Sequence, residues 1–277
     1  MKKEVNYRLI SQIFFFSLIA LITINYYSRA VGIAIPFIGS ASLHAICPFG
    51  GVAAFAALFQ YDILISKIHT SSFTIFVIIF VLGIFFGPVV CSYMCPLGSV
   101  QEWIGKLGKK IFKQRYNHFM PAKLDKVLRY IRYIVLILVI YMTTQSLKLV
   151  FLKVDPYFAL FHFWSDEATL GGLIVLGITL LLSLFIERPW CKYACPFGAL
   201  MGLTNFFSLF KIKRNNASCI HCKICDRVCP MNIVISDKTN ITDHQCIRCN
   251  QCTSEFSCPV PSTTELKIKN YGGGDKK

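Results

Sequence analysis

The chain has 277 residues, of which 55% are hydrophobic, 14% aromatic and only 16% charged. A water-soluble domain carries about a quarter charged residues, so this composition excludes an ordinary cytosolic enzyme, a disordered chain and a collagen-like one, and points to a membrane. The net charge is +15, and thirteen cysteines sit in short regular spacings that favour metal or redox chemistry over a disulfide framework.

Four apolar stretches, near 9–27, 73–90, 130–147 and 170–186, approach the roughly 20 residues that cross a bilayer and predict four transmembrane helices. Lys2 and Lys3 before the first run, with Ser28, Arg29 and Ala30 after it, would also suit a signal peptide. Residues 43–59 read as a re-entrant or interfacial segment on the outer side. Of the 29 Lys and Arg, 25 lie in residues 1–8, in 101–132 or from Arg188 onward, against 4 in 28–72 and 145–169. This bias puts both termini in the cytoplasm. Because the charge is split among loops, no nucleic-acid partner is expected; anionic lipid or an acidic partner protein is the natural use.

A duplication follows. Cys91-Ser-Tyr-Met-Cys95-Pro-Leu-Gly98 matches Cys191-Lys-Tyr-Ala-Cys195-Pro-Phe-Gly198, and each motif closes the inward-running helix of a hairpin, at the cytoplasmic face. The outer loops correspond weakly, Cys47-Pro-Phe with Asp155-Pro-Tyr. Duplicated membrane units commonly carry their site at the repeat interface. Past the first motif, Val100, Trp103, Ile104, Leu107 and Ile111 recur at helical spacing with Lys106, Lys109, Lys110 and Lys113 mostly off the stripe. That pattern predicts a basic amphipathic helix, lying on the inner leaflet or packed on the cytoplasmic domain.

From residue 219 two runs appear: Cys219, Cys222, Cys225 and Cys229-Pro230, then Cys246, Cys249, Cys252 and Cys258-Pro259. Three thiolates at x2, x2 spacing with a remote Cys-Pro form a two-cluster ferredoxin pattern, in which the remote cysteine serves the other cluster. Cluster one is assigned to Cys219, Cys222, Cys225 and Cys258, and cluster two to Cys246, Cys249, Cys252 and Cys229. A spacer of five before Cys258, where three is standard, adds a small loop. Ile220, Ile224, Val228, Ile233, Val234, Ile247 and Val260 can supply the apolar shell. Tetrahedral zinc is the competing reading.

Cys91, Cys95, Cys191 and Cys195 are expected to converge. They read as a further iron-sulfur site, as a thiol relay or disulfide, or as small buried residues of a structural turn. Cys47, with His44 three residues before it, is more simply a packing residue than a soft-metal ligand. His69, His118, His162, His221 and His244 are not paired across mid-membrane helices, so no haem is expected.

On these motifs, over about residues 73–260, the chain resembles the NapH/NosR-type polytopic membrane ferredoxins. That resemblance implies electron transfer at a prokaryotic cytoplasmic membrane, between the quinone pool or a cytoplasmic donor and a respiratory reductase or flavoprotein. Two features depart from the pattern: no segment has the length or attachment motif for the outer flavin domain of NosR-type proteins, and Cys47-Pro-Phe-Gly lies outside it. A similarity to CcoG-type copper-handling membrane ferredoxins keeps a metal reductase or assembly factor open, and an oxygen-sensing or structural module is a third class. No Ser-His-Asp set, phosphate loop or carboxylate pair competes for a catalytic role. The expected architecture is an all-α membrane protein of about four helices with a two-fold repeat and a C-terminal α+β ferredoxin domain. Its units are a first hairpin over 1–100, a basic cytoplasmic linker over 101–129, a second hairpin over 130–210, the ferredoxin domain over 211–262 and a polar tail over 263–277.

Overall fold

The computed structural model describes residues 7–30, 70–146, 150–163, 168–260 and 262–268. The expectations for His44, Cys47, residues 43–59 and His69 lie outside these. Each of the four apolar stretches is helical: α1 Tyr7–Ala30, α2 Thr70–Phe86, α6 Ile131–Ser146, which the short α5 Ala122–Leu128 precedes, and α8 Leu170–Ser183. Among the described helices only α1, over Tyr7–Ser28, is both long and apolar enough to cross a membrane by itself, while Thr74–Phe86 and Leu170–Ser183 are shorter apolar helices. All four leave large apolar side chains exposed, among them Phe14, Ile78, Ile137 and Leu181. Contiguous apolar surface of this kind marks an interface with lipid or protein.

The duplication is conformational as well as sequential. Short helices α3 (Val89–Tyr93) and α9 (Pro189–Tyr193) are followed by α4 (Pro96–Phe112) and α10 (Pro196–Phe207). Cys95 and Cys195 are the N-caps, with φ/ψ of −71/113° and −69/112°. Pro96 and Pro196 occupy the first helical position, where a missing N–H costs nothing. The Cys95 N–H donates to the Val90 carbonyl at 3.0 Å and that of Cys195 to the Trp190 carbonyl at 2.9 Å. Cysteine, proline and the helix that follows therefore form one folding unit, used twice.

Helix α4 differs from expectation. It starts at the motif itself, inside the unit assigned to the first hairpin, and packs between α1 and α8 rather than lying as a separate linker. Its buried face is small and polar (Gly98, Ser99, Gln101, Glu102, Gly105, Gly108), whereas Leu107 and Ile111 of the apolar stripe are exposed. A methyl group at Gly108 would strike the Leu184 carbonyl, so the helices approach as closely as small residues allow.

The segment between α6 and α8, expected as an outer loop, folds back into the bundle. Helix α7 (Pro156–His162), capped by Asp155 and started by Pro156, places Phe158 and Phe161 against Ile19 of α1 and Ala159 against Leu97 and Leu176. Tyr157 and Leu160 of α7 share that apolar cluster with Cys95 and Trp190 of the cysteine-bearing motifs, and Phe151, ahead of the helix, stacks on Trp190.

The C-terminal unit is α+β, with a sheet ordered β2-β1-β3 from β1 Phe210–Arg214, β2 Asn240–Ile241 and β3 Thr264–Ile268. Both pairings are antiparallel, with Ile212 opposite Ile241 and Leu266. The polar tail expected from residue 263 is thus corrected: Thr264–Ile268 completes the sheet. The core holds Ile212, Met231, Ile233, Ile235, Ile241 and Ile247 around the cysteines. Of the proposed apolar shell, Ile220 and Val234 are instead exposed.

This unit is tied to the helices by buried polar contacts. Arg132 of α6 donates to the His244 carbonyl (2.8 Å) and Gln245 Oε1 (3.2 Å). Asn205 of α10 donates to the Cys246 carbonyl at 2.7 Å and accepts from Arg248 Nε at 3.0 Å. Asn117 and Asn232 bond each other twice, each at 2.7 Å.

Candidate metal centres

In each ferredoxin run the residues flanking the middle cysteine take left-handed backbone: His221 (φ 54°) and Lys223 (57°) about Cys222, Arg248 (53°) and Asn250 (55°) about Cys249. Non-glycine residues rarely adopt this region, and holding it costs of order 1–3 kcal/mol each. The strain turns the loop so that three cysteines face inward. One cavity is then lined by Cys219, Cys222, Cys225 and Cys258, and a second by Cys229, Cys246, Cys249 and Cys252. These are the two sets assigned from sequence, the remote cysteines crossing over, and the five-residue spacer still delivers Cys258. Among the described residues no three or more His, Cys, Asp or Glu side chains meet where one metal ion could sit. Eight sulfurs ringing two cavities suit multi-iron clusters better than a zinc ion, which needs its four ligands at about 2.3 Å from one point. Cys222 is exposed and Cys219 and Cys258 half-buried, whereas Cys229, Cys246 and Cys252 are buried. The cavity assigned to cluster one is thus the more exposed of the two.

The repeat cysteines form the third group. All four are reduced, half-buried thiols, and their charges act on one another: Cys195 feels Cys191, Cys91 and Cys95, and Cys91 feels Cys95 and Cys191. Burial pushes the Cys95 thiol up to about 11 and raises the other three. Such thiols stay protonated at neutral pH unless a metal replaces the proton, which disfavours a nucleophilic dithiol relay. The group also has two faces. Cys91 packs, with Cys249, against the ferredoxin core, while Cys95, Cys191 and Cys195 line an apolar cavity on the other side.

The surroundings fit an anionic, thiolate-held cluster. Arg188, fully buried, donates to the Cys91 carbonyl and to Glu102, each at 2.6 Å. Glu102 also accepts from Arg8 (2.5 Å) and Gln12 (3.1 Å). Although burial opposes it, the Arg188 and Arg8 guanidiniums hold the Glu102 carboxyl below the usual range. Arg188 and Arg132 both favour the Cys91 thiolate, and the Nε of each is buried without a partner. Donors reach the sulfurs directly: Gly198 N–H to Cys195 at 3.2 Å and Gln101 Nε2 to Cys191 at 3.6 Å. Hydrogen bonds and charge of this kind set cluster potentials. Arg8, Gln12, Glu102, Arg132 and Arg188 were not singled out from the sequence. The usable signal was Gln12, a polar residue inside the first apolar run.

A family model described as a 4Fe-4S binding domain matches the chain twice, over residues 68–114 and 168–215. The two matches carry Cys91 and Cys95, and Cys191 and Cys195, and end before the ferredoxin cysteines. The chain is 32% identical to the putative electron transport protein YccM of Escherichia coli over 76% of its own length and 59% of that protein's. It is 34% identical to an uncharacterized protein of Methanocaldococcus jannaschii, covering 76% of this chain and 82% of that one. The ferredoxin-type protein NapH of Haemophilus influenzae is 28% identical over 59% of this chain and 58% of its own. The chain thus spans about three fifths of the YccM and NapH sequences. No solved structure matches it. With its duplicated cysteine motif and its two ferredoxin runs, the chain belongs to the ferredoxin-type 4Fe-4S electron transport proteins of the NapH/NosR type.

Proposed function

We propose that the protein is a multi-pass membrane electron-transfer subunit of a prokaryotic cytoplasmic membrane, with its ferredoxin unit and both termini in the cytoplasm. Two clusters are held as assigned, and a third centre is held by Cys91, Cys95, Cys191 and Cys195. Bound iron-sulfur clusters accept and release single electrons. The chain's own residues fix the ligands, exclude water and supply the charge that sets each potential. One observation carries the reading: three four-cysteine groups follow one another through continuous packing, from exposed Cys222, through the core of Cys225, Cys229, Cys246 and Cys252, to Cys91 at its edge.

The outer end, with exposed Ile220 and Phe256, would meet a soluble flavoprotein or reductase subunit. The inner end would exchange electrons with the quinone pool. Exposed apolar faces on α1, α2, α6 and α8 and the 25-to-4 distribution of basic residues support the membrane placement and its orientation. Anaerobic purification of the full chain tests the reading. About twelve irons per chain, four for each cubane, with three reducible paramagnetic signals, are expected. Eight irons with bound copper would favour a copper-handling role, and stoichiometric zinc with no reducible centre would overturn both.

A further inference from the structure

The cavity beyond the repeat cysteines has a volume of about 330 Å³, within the range of small-ligand sites. Phe15 and Leu18 of α1 and Ile75 and Ile79 of α2 form its apolar walls, and Leu18 is still 39% exposed. At its inner end lie Cys95, Cys191 and Cys195, with Trp190 beside them. Among the described lining residues Asp155 carries the only carboxylate. It is 7% exposed, and its Oδ1 accepts the Tyr157 N–H at 3.0 Å. Capping α7 does not account for an acid here, since Asn or Ser would cap as well without the cost of a charge in apolar surroundings. That burial pushes the carboxyl up to about 7.

A cavity with apolar walls admits a lipophilic molecule. Its contact with three of the four thiols selects one that exchanges electrons, and the carboxyl selects one whose electrons travel with protons. A lipid acyl chain would fit the walls and leave both polar features without a role. We propose that this cavity binds the ring of a lipophilic quinone or hydroquinone, with Asp155 as the proton acceptor. This rests on the electron-transfer reading above and names the place and the residue. On oxidation, the two O–H bonds of the hydroquinone break and two ring C=O bonds form. Its two electrons would leave singly to a cluster that Cys91, Cys95, Cys191 and Cys195 would hold. The Asp155 carboxylate takes one proton and passes it to water beside the exposed Lys153 and Val154, then takes the second. Quinone reduction runs the same steps backward.

The test uses the full chain, purified anaerobically in detergent, with 2,3-dimethyl-1,4-naphthoquinone and its hydroquinone as probes. Saturable quenching of tryptophan fluorescence is expected, most of it lost in Trp190→Phe. Binding should weaken about ten-fold in Ile79→Phe, which fills the cavity. Asp155→Asn keeps the cap, so binding should change less than about three-fold while hydroquinone-driven cluster reduction slows about 10²-fold, as for loss of a positioned base. Asp155→Ser, also a cap, repeats the measurement if the first variant does not fold. Absence of saturable quenching, displacement by phospholipid as readily as by quinone, or wild-type reduction rates in both Asp155 variants would overturn the proposal. Dithionite separates the two readings: clusters that it cannot reduce defeat the electron-transfer reading, whereas clusters that it reduces but hydroquinone does not defeat this one.

Discussion

Glu102 holds two buried arginines at once, and replacing it with Gln tests the electrostatics of the repeat centre. Its Oε2 accepts from Arg8 at 2.5 Å and Arg188 at 2.6 Å, and all three side chains are at most 9% exposed. Gln keeps the shape and removes the charge, leaving two guanidiniums facing each other without water. Removing one partner of a buried ion pair costs about 3–5 kcal/mol, so Glu102→Gln should lower the melting temperature of the iron-free protein by about 10 °C for a chain of this size. Arg188→Gln loses two charge-assisted hydrogen bonds, about 1.5–3 kcal/mol each, a total of similar size, although it leaves a neutral Arg8–Glu102 pair. Because both variants break the same pair, the double variant should fall short of additivity by at least about 1 kcal/mol. An anionic thiolate-held centre would partly neutralise Arg188, so Glu102→Gln should cost less in the iron-loaded protein than in the iron-free one. Thermal unfolding of both forms, followed by tryptophan fluorescence, gives all of these numbers. Costs of the two single variants that simply add in the double would refute the shared-carboxylate reasoning. An identical cost with and without iron would remove the anionic centre from beside Arg188.

Cys258→Ser should lower iron by about four per chain and abolish one paramagnetic signal while sparing cluster two; loss of both signals would refute the crossed assignment. Gly202→Ala places a methyl group against the His244 carbonyl and the Arg132 guanidinium, so overpacking of about 1–3 kcal/mol should loosen the ferredoxin unit and speed its proteolysis at unchanged iron content. Unchanged protease resistance would mean that this contact does not hold the two parts together. An epitope inserted after Lys153 should be accessible only from outside intact cells and one at Lys267 only after lysis; the reverse pattern would invert the topology.

The cysteine sets were legible because ligand spacing is local chemistry: x2, x2 and a remote Cys-Pro mean the same thing wherever the chain runs, and the crossed cavities around Cys258 and Cys229 follow from it. Strand β3 was not legible. Leu266 and Ile268 stand in a polar stretch, and their partners in β1 are more than fifty residues away, a pairing that no local pattern reports. Helix α4 was read with the right period and the wrong face. In water a helix buries its apolar stripe, whereas here Leu107 and Ile111 point outward and Gly105 and Gly108 pack inward. The buried face follows close approach between helices, which small residues permit and which an apolar period does not report. That the segment after Asp155 packs into the bundle was not legible, because a polar break between two apolar runs carries no sign that the chain folds back.

Charge was the feature whose meaning changed most. The 25 basic residues on the inner segments served as an orientation signal, yet eight of them are buried: Arg8, Arg129, Arg132, Arg188, Lys192, Lys211, Arg214 and Arg248. The seventeen that remain still outnumber the four in residues 28–72 and 145–169, so the bias on which the proposed orientation rests keeps its sign. The buried eight do something else. They join segments distant in sequence and surround the cysteine groups with positive charge, as Arg188 and Arg132 do at Cys91. The choice of residue separates the two jobs. Of the nine arginines in the sequence six are buried, but of the twenty lysines only Lys192 and Lys211 are so among the described residues. A planar guanidinium satisfies several acceptors away from water, while an ammonium is better left hydrated. Arginine counted apart from lysine, rather than net charge, was therefore the trace in the sequence of the buried network about the metal centres.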